Sequence, residues 1–116
     1  MSSHSFQAGQ IFLDKKFILK DKIGQGAYSE VYLTEDTQTE EQLAVKLAFS
    51  EKEASCLYKE HEILLKLIGN ENIVQVKKLV SGPRLETMRE DGSIRKKSRQ
   101  PLAALFMEFA PKGSLV

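Results

Sequence analysis

The sequence predicts an α+β fold, in which a mostly antiparallel sheet of five strands packs against one main helix. Strand-forming residues are concentrated in three segments before the helix and two after it, and a single long helical repeat separates them. No alternation of strands and helices precedes that helix, which disfavours a doubly wound parallel sheet. The 116 residues, 41% of them hydrophobic, suit one compact domain with one modest core.

The strands are predicted from runs of aliphatic, aromatic and β-branched residues that end at glycine or at polar turns. They are expected at 17–23, 30–34, 43–49, 73–80 and 102–109. Residues 1–16 are expected to form an N-terminal arm, and residues 17–116 are expected to form the folded domain.

The helix is predicted from its cap and from one apolar stripe. Ser50 and Glu53 have the spacing of a capping box, in which each side chain accepts from the other residue's backbone amide. Gly69 supplies a C-terminal stop. The residues that recur at three- and four-residue steps are Ala54, Leu57, Tyr58, His61, Leu64, Leu65 and Ile68.

A polar and charged insertion at 82–101 separates the last two predicted strands. Its Asp91-Gly92 pair is a turn signal that predicts a hairpin. The basic run at 95–99 is interpreted as a solvated loop, because charge runs usually are. A nuclear-targeting or anion-binding patch and a phosphorylation site at Ser98 are the alternatives.

Charge and composition exclude several classes of function. The net charge of +1 argues against attraction to nucleic acid or to a membrane surface by the field of the whole protein. The first residues lack the basic and apolar regions of a secretory signal, and the one cysteine, Cys56, cannot form an internal disulfide. These features favour a cytoplasmic protein, with a nuclear location as the alternative.

Gly24 and Gly26 form a turn between the first two predicted strands. Two glycines let a backbone approach a ligand closely, and amides in such a turn can point at phosphate oxygens. A simple tight turn is the alternative. A dinucleotide-binding turn would open a helix and would usually have a third glycine where this chain has Ser29.

Lys46 interrupts an otherwise apolar predicted strand. Burying an unpaired ammonium group is costly. Lys46 is therefore expected either on an edge strand whose outer face is exposed to solvent or beside an acidic partner. Glu60 lies on the same side of the predicted helix as Leu57 and Leu64, whereas Glu62 lies in a more polar sector. The sequence therefore favours Glu60 as the partner of Lys46, with a solvated helix carboxylate as the alternative.

Five segments in this order resemble the protein kinase family, over roughly residues 17–116. Residues 23–31, Ile-Gly-Gln-Gly-Ala-Tyr-Ser-Glu-Val, resemble its glycine-rich loop, and residues 43–46, Leu-Ala-Val-Lys, resemble its Val-Ala-Ile-Lys strand. Residues 60–64 are similar to the helix segment that contains the acidic partner. Residues 72–74 are similar to the start of the following strand, and residues 105–115 to the fifth strand and hinge. The resemblance implies the N-terminal lobe of a kinase domain.

The resemblance also implies an ATP site. It implies that Lys46 contacts the α- and β-phosphates and that Glu60 fixes Lys46, and these are the two residues expected to be catalytic. The glycine-rich loop would cover the phosphates through Gly24, Gln25, Gly26, Ala27, Tyr28 and Ser29. The adenine and ribose would contact Ile23, Val31, Ala44, the gatekeeper Met107, the Glu108 carbonyl, the Ala110 amide and Ser114.

The second half of the kinase pattern does not occur in these 116 residues. His-Arg-Asp, Asp-Phe-Gly and Ala-Pro-Glu are all absent from the sequence. The expected function is therefore the ATP-binding lobe of a protein kinase. Serine/threonine specificity is expected only because it is the commoner specificity among protein kinases. The parent would transfer phosphate from ATP with Mg²⁺ to a protein, whereas this chain alone is expected not to be competent. A non-catalytic regulatory or interaction module is the alternative.

Overall fold

A computed structural model describes residues 9–25, 29–67, 69, 75–97 and 99–109. These residues form eight strands and one helix. The elements are β1 (Ile11–Leu13), β2 (Phe17–Gln25), β3 (Glu30–Asp36), β4 (Gln42–Ala48), α1 (Glu51–Leu65), β5 (Val76–Ser81), β6 (Leu85–Met88), β7 (Ile94–Lys96) and β8 (Ala103–Glu108). No helix in the described residues is long and apolar enough to cross a membrane.

The strands form one sheet in the order β5-β8-β4-β3-β2-β1-β6-β7, and every pairing is antiparallel. The predicted α+β class and antiparallel sheet are therefore confirmed. The predicted number of strands is wrong, because the described residues contain eight strands rather than five. The five predicted strands correspond to β2, β3, β4, β5 and β8, which are contiguous in the sheet.

The three additional strands come from segments that had been predicted as an arm and as an insertion. β1 lies within residues 1–16 and pairs with β2 on one side and β6 on the other. β6 and β7 form the hairpin predicted at Asp91-Gly92, with Met88 paired to Ile94. Gly92 has a φ of 87°, a left-handed conformation that glycine adopts without steric cost. Part of the basic run thus forms β7 rather than a loop, although the residues of β7 are exposed.

The helix begins as predicted, with Ser50 as its N-cap. The Ser50 hydroxyl accepts from the Glu53 amide at 3.1 Å. The Glu53 carboxylate accepts from the Phe49 amide at 2.8 Å, one residue before the amide expected in a capping box. The predicted stripe is only partly covered, because Ala54 and Leu57 are buried whereas Tyr58 is 40% exposed and Leu65 46%.

Two hydrophobic clusters lie on opposite faces of the sheet, where the sequence predicted one core. The helix-side cluster packs beneath α1, and its buried members are Ala44, Ala48, Ala54, Leu57, Ala103, Leu105 and Met107. The outer-face cluster lies on the other face, and its buried members are Leu13, Phe17, Leu19, Leu43, Val45, Leu47, Leu85, Ala104 and Phe106. The alternation of side chains along β4 accounts for the division.

The far edge of the sheet curls back towards β4 and β8. The Gln100 side chain accepts from the Leu85 amide and donates to the Leu85 carbonyl, both at 2.8 Å. Two residues later, the Leu102 amide donates to the Ala48 carbonyl at the end of β4 at 2.7 Å. Since two residues span about 7 Å at most, β6 must lie near the end of β4 despite its distance in the strand order. This curl lets Leu13 and Leu85 join the outer-face cluster.

Candidate functional site

The central feature of the candidate site is Lys46, which lies on the helix-facing side of β4. β4 pairs with β3 and with β8, so that Lys46 has Val31 on one side and Leu105 on the other. β4 is therefore an interior strand, and the edge-strand alternative for Lys46 is wrong. The residues on either side of Lys46 in the chain, Val45 and Leu47, point into the outer-face cluster and are fully buried.

Lys46 forms an ion pair with Glu60 of α1. The Lys46 Nζ lies 2.5 Å from the Glu60 Oε2, and the two side chains are 25% and 35% exposed. Glu60 follows the buried Leu57 by three residues, which places both on the side of the helix that faces the sheet. Glu62 is exposed. The structure thus brings together the two residues that the sequence paired, and their proposed roles remain predictions.

An apolar surface lies beside this ion pair. Ala44 and Met107 are directly opposite each other on β4 and β8 and are 1% and 6% exposed. Val31 packs against the same helix-side cluster from β3. Val31, Ala44 and Met107, three residues predicted to contact adenine, therefore lie on the same side of the sheet as Lys46.

The glycine-rich turn joins two antiparallel strands, as predicted. Gly24 pairs with Val31, and Gln25 pairs with Glu30. Because β3 follows the turn, the dinucleotide-binding alternative is excluded. A Cβ on Gly24 would lie 3.9 Å from the Val31 Cβ, and Ile23 is 41% exposed. The tip residues Gly26, Ala27 and Tyr28 lie outside the described residues, while Ser29 is half-buried.

The predicted hinge is described only at its beginning. The Glu108 amide donates to the Gln75 carbonyl at 3.0 Å, and the Glu108 carboxylate accepts from the Gln75 amide at 3.2 Å. These contacts hold the end of β8 against the residue that precedes β5. Ala110 and Ser114 lie outside the described residues.

A second polar cluster, which sequence reasoning missed, lies near the start of β3. The Tyr32 hydroxyl donates to Glu30 at 2.7 Å, and Arg99 donates to Glu30 at 3.3 Å. The Arg99 guanidinium also stacks 3.9 Å from the centre of the Phe49 ring. The Tyr32 hydrogen bond is the main cause that lowers the pKa of Glu30. Arg99 belongs to the basic run of the insertion, and its sequence context gave no sign of these distant partners.

We expect Tyr32 to lose its phenol proton at a higher pH than an ordinary tyrosine. Burial, followed by the hydrogen bond to Glu30, raises the pKa of Tyr32 to about 12. The unfolded chain loses its phenol proton near pH 10, so the contribution of Tyr32 to stability is present below that pH and is lost as the pH rises from 10 to 12.

An ultraviolet titration of phenolate absorbance, with Tyr32→Phe as the comparison, measures this difference. Tyr32→Phe should remove the most alkaline step of the titration. It should also reduce the alkaline loss of stability in urea unfolding. Loss of a step near pH 10 instead would contradict the prediction.

Within the described ranges, no group of three or more His, Cys, Asp or Glu residues is arranged to hold a metal ion. The described residues around Lys46 contribute the Lys46–Glu60 ion pair and the adjoining apolar surface of Val31, Ala44 and Met107.

Comparison with known proteins relates the chain to kinases. No protein-family model matches the chain. Cyclin-dependent kinase 10 of Rattus norvegicus is 35% identical over 92 residues, which cover 76% of this chain and 25% of that protein. Cyclin-dependent kinase 10 of Homo sapiens and of Mus musculus are each 37% identical over 78 residues, covering 64% of this chain and 21% of each relative. The chain spans about a quarter or less of the length of these curated relatives. The sequence similarity supports a relationship of this chain to the protein kinase family.

Proposed function

We propose that this chain is the ATP-binding lobe of a protein kinase. The observation that carries the proposal is the Lys46–Glu60 ion pair, which lies on the same side of the sheet as the apolar surface of Val31, Ala44 and Met107. The sequence similarity to cyclin-dependent kinase 10 supports the same assignment. A cation beside apolar side chains suits a ligand that joins phosphates to an aromatic base.

Each part of this surface has a chemical role in the proposal. Val31, Ala44 and Met107 would contact the adenine ring, which gains free energy by leaving water. Lys46 would neutralise the α- and β-phosphates, and Glu60 would hold the ammonium group in place and balance its charge when no nucleotide is bound. The amides of the glycine-rich turn, from Gly24 onwards, would cover the phosphates.

In the parent protein this lobe would position ATP for transfer of its γ-phosphoryl group to a serine or threonine hydroxyl. Phosphoryl transfer depends mainly on positioning and on charge neutralisation, which are the contributions that Lys46 and Glu60 can make. Mg²⁺ would accompany the nucleotide, and no residue of this chain is assigned to it. A cytoplasmic location and a protein substrate belong to the same proposal.

A titration with a fluorescent ATP analogue, in wild type and in Lys46→Met, tests the nucleotide site. We expect Lys46→Met to weaken binding tenfold or more, because it removes the cation that meets the phosphates; tenfold corresponds to about 1.4 kcal/mol. The ion pair is partly exposed, so its loss should cost the fold only about 0–1 kcal/mol.

Lys20→Met is the matched control. Lys20 also lies on a strand and pairs with a glutamate, Glu35, at 2.9 Å, but its side chain is 41% exposed. This control should bind the analogue within twofold of wild type. Equal affinity of wild type and Lys46→Met would contradict the assignment of Lys46. Absence of binding by the wild type would favour the non-catalytic interaction module.

A further inference from the structure

A cavity lies at the opposite end of the sheet from β5, on β1, β6 and β7. Its volume is about 230 Å³, and its lining residues are Phe12, Lys15, Glu86, Met88 and Ile94. Strand pairing explains why they meet, because Glu86 is opposite Phe12 and Met88 is opposite Ile94. None of these lining residues belongs to the Lys46–Glu60 ion pair or to the adjoining surface of Val31, Ala44 and Met107, so this cavity is a separate site.

Glu86 is the unusual residue of this cavity. The residue is only 7% exposed, and its Oε1 is buried without a hydrogen-bond partner among the described residues. Neither Lys15 of the cavity nor Lys96, which is opposite Glu86 on β7, forms an ion pair with it in the described part of the chain. A buried carboxylate oxygen without a donor is costly, which is why such groups normally have partners.

The other walls of the cavity are mostly apolar. Phe12 is 6% exposed, and Met88 and Ile94 extend the apolar lining towards solvent. The Lys15 side chain is exposed, so its charge is hydrated and screened, whereas the carboxylate of Glu86 is largely removed from water. Within the described residues, the Glu86 Oε1 is therefore an unsatisfied hydrogen-bond acceptor in this cavity. A cationic donor would form the strongest hydrogen bond with it, because both groups would be charged.

We propose that this cavity binds an ammonium or guanidinium group on an apolar stem. The charged group pairs with Glu86, and the stem packs against Phe12, Met88 and Ile94. The volume is below the range of about 300–1,000 Å³ that is usual for drug-sized ligands, which indicates a small ligand. A free alkylamine and a lysine or arginine side chain of a partner peptide share this chemistry. The site goes beyond the proposed nucleotide function and does not depend on it.

Calorimetric titration of the chain with n-hexylammonium, n-hexanol and n-hexanoate tests the charge preference. We expect the ammonium to bind at least tenfold more tightly than the alcohol, and the carboxylate to bind more weakly than both. Glu86→Gln retains the shape of the side chain and removes its charge, so it should abolish the preference for the ammonium and leave hexanol binding within twofold. Glu90→Gln, at an exposed glutamate of the same hairpin, should behave as wild type.

A second variant tests the apolar wall and does not alter Glu86. Ile94 is 42% exposed, so Ile94→Ser should leave the fold intact while weakening the ammonium and the alcohol by the same factor. Equal affinities for the ammonium and the alcohol in wild type, or a preference that survives Glu86→Gln, would overturn the proposal. A lysine-containing tripeptide with blocked termini distinguishes a free alkylamine from the side chain of a partner peptide. If the natural ligand is a peptide, the tripeptide should bind more tightly than n-hexylammonium.

Discussion

Leu85→Asp should destabilise the fold by about 4 kcal/mol or more, the largest effect that we expect from a single substitution. Leu85 begins β6, is 5% exposed and belongs to the outer-face cluster, where it is paired with the fully buried Leu13. A carboxylate at this position would lose its hydration without gaining a partner. Guanidinium unfolding, followed by circular dichroism, measures the change.

Leu102→Asp is the matched control for this substitution. Leu102 is 42% exposed, so the same exchange of leucine for aspartate should cost well under 1 kcal/mol there. If both variants unfold at the same denaturant concentration, the hairpin of β6 and β7 does not contribute to the core. A difference of several kcal/mol would establish that the charged insertion is part of the folded domain.

Phe106→Ala should cost about 3–5 kcal/mol, because it leaves a cavity in the outer-face cluster. Phe106 is fully buried, and its ring centroid lies 4.7 Å from that of Phe17 on β2. The Lys78 ammonium lies over both rings, at 5.2 Å from Phe106 and 5.0 Å from Phe17. Removal of the Phe106 ring therefore weakens contacts among β8, β2 and β5.

Thermal unfolding of Phe106→Ala, beside Phe106→Leu, measures this contribution. The leucine retains much of the apolar volume, so its cost should be about 1 kcal/mol. In a chain of 116 residues each kcal/mol corresponds to roughly 4 °C in the unfolding temperature. A decrease of less than about 4 °C for the alanine variant would indicate that the cluster contributes much less than its burial implies.

The parts of the fold that sequence reasoning predicted are those determined by local patterns. The alternation along β4 and the capping serine at Ser50 are each visible within a few residues. The pairing of Lys46 with Glu60 also followed from local patterns, because a cation in an apolar strand needs a partner and the turn of a helix determines which carboxylate faces the sheet.

The parts that sequence reasoning missed depend on contacts between distant segments. β1 and β7 have three residues each and β6 has four, which is too few for a clear alternation. Their stability comes from neighbouring strands, and the propensity of a short strand depends strongly on such context. Leu13 and Leu85, which pair with each other on β1 and β6, join residues of β4 and β8 in one cluster because the sheet curls, which no local pattern reveals.

The same limit applies to the functional sites. Glu86 lies in a polar segment, where a glutamate is normally solvated, and its burial results from pairing with Phe12 on β1. Likewise, Arg99 belongs to a basic run, yet it donates to Glu30 and stacks on Phe49. The surroundings of both charged residues are therefore set by segments that are distant in the sequence, and the insertion alone does not reveal them.

The contacts of Gln100 have a practical consequence for engineering this chain. The Gln100 side-chain amide bonds both backbone groups of Leu85 and also donates to the Lys97 carbonyl at 2.7 Å, so it ties the two ends of the hairpin together at its base. The turn at Asp91 and Gly92 lies at the far, exposed end. Since the entropy of closing a loop grows only slowly with its length, extra residues at this turn should cost little. The turn is therefore the natural place to insert an affinity tag or a fluorescent label without disturbing either hydrophobic cluster.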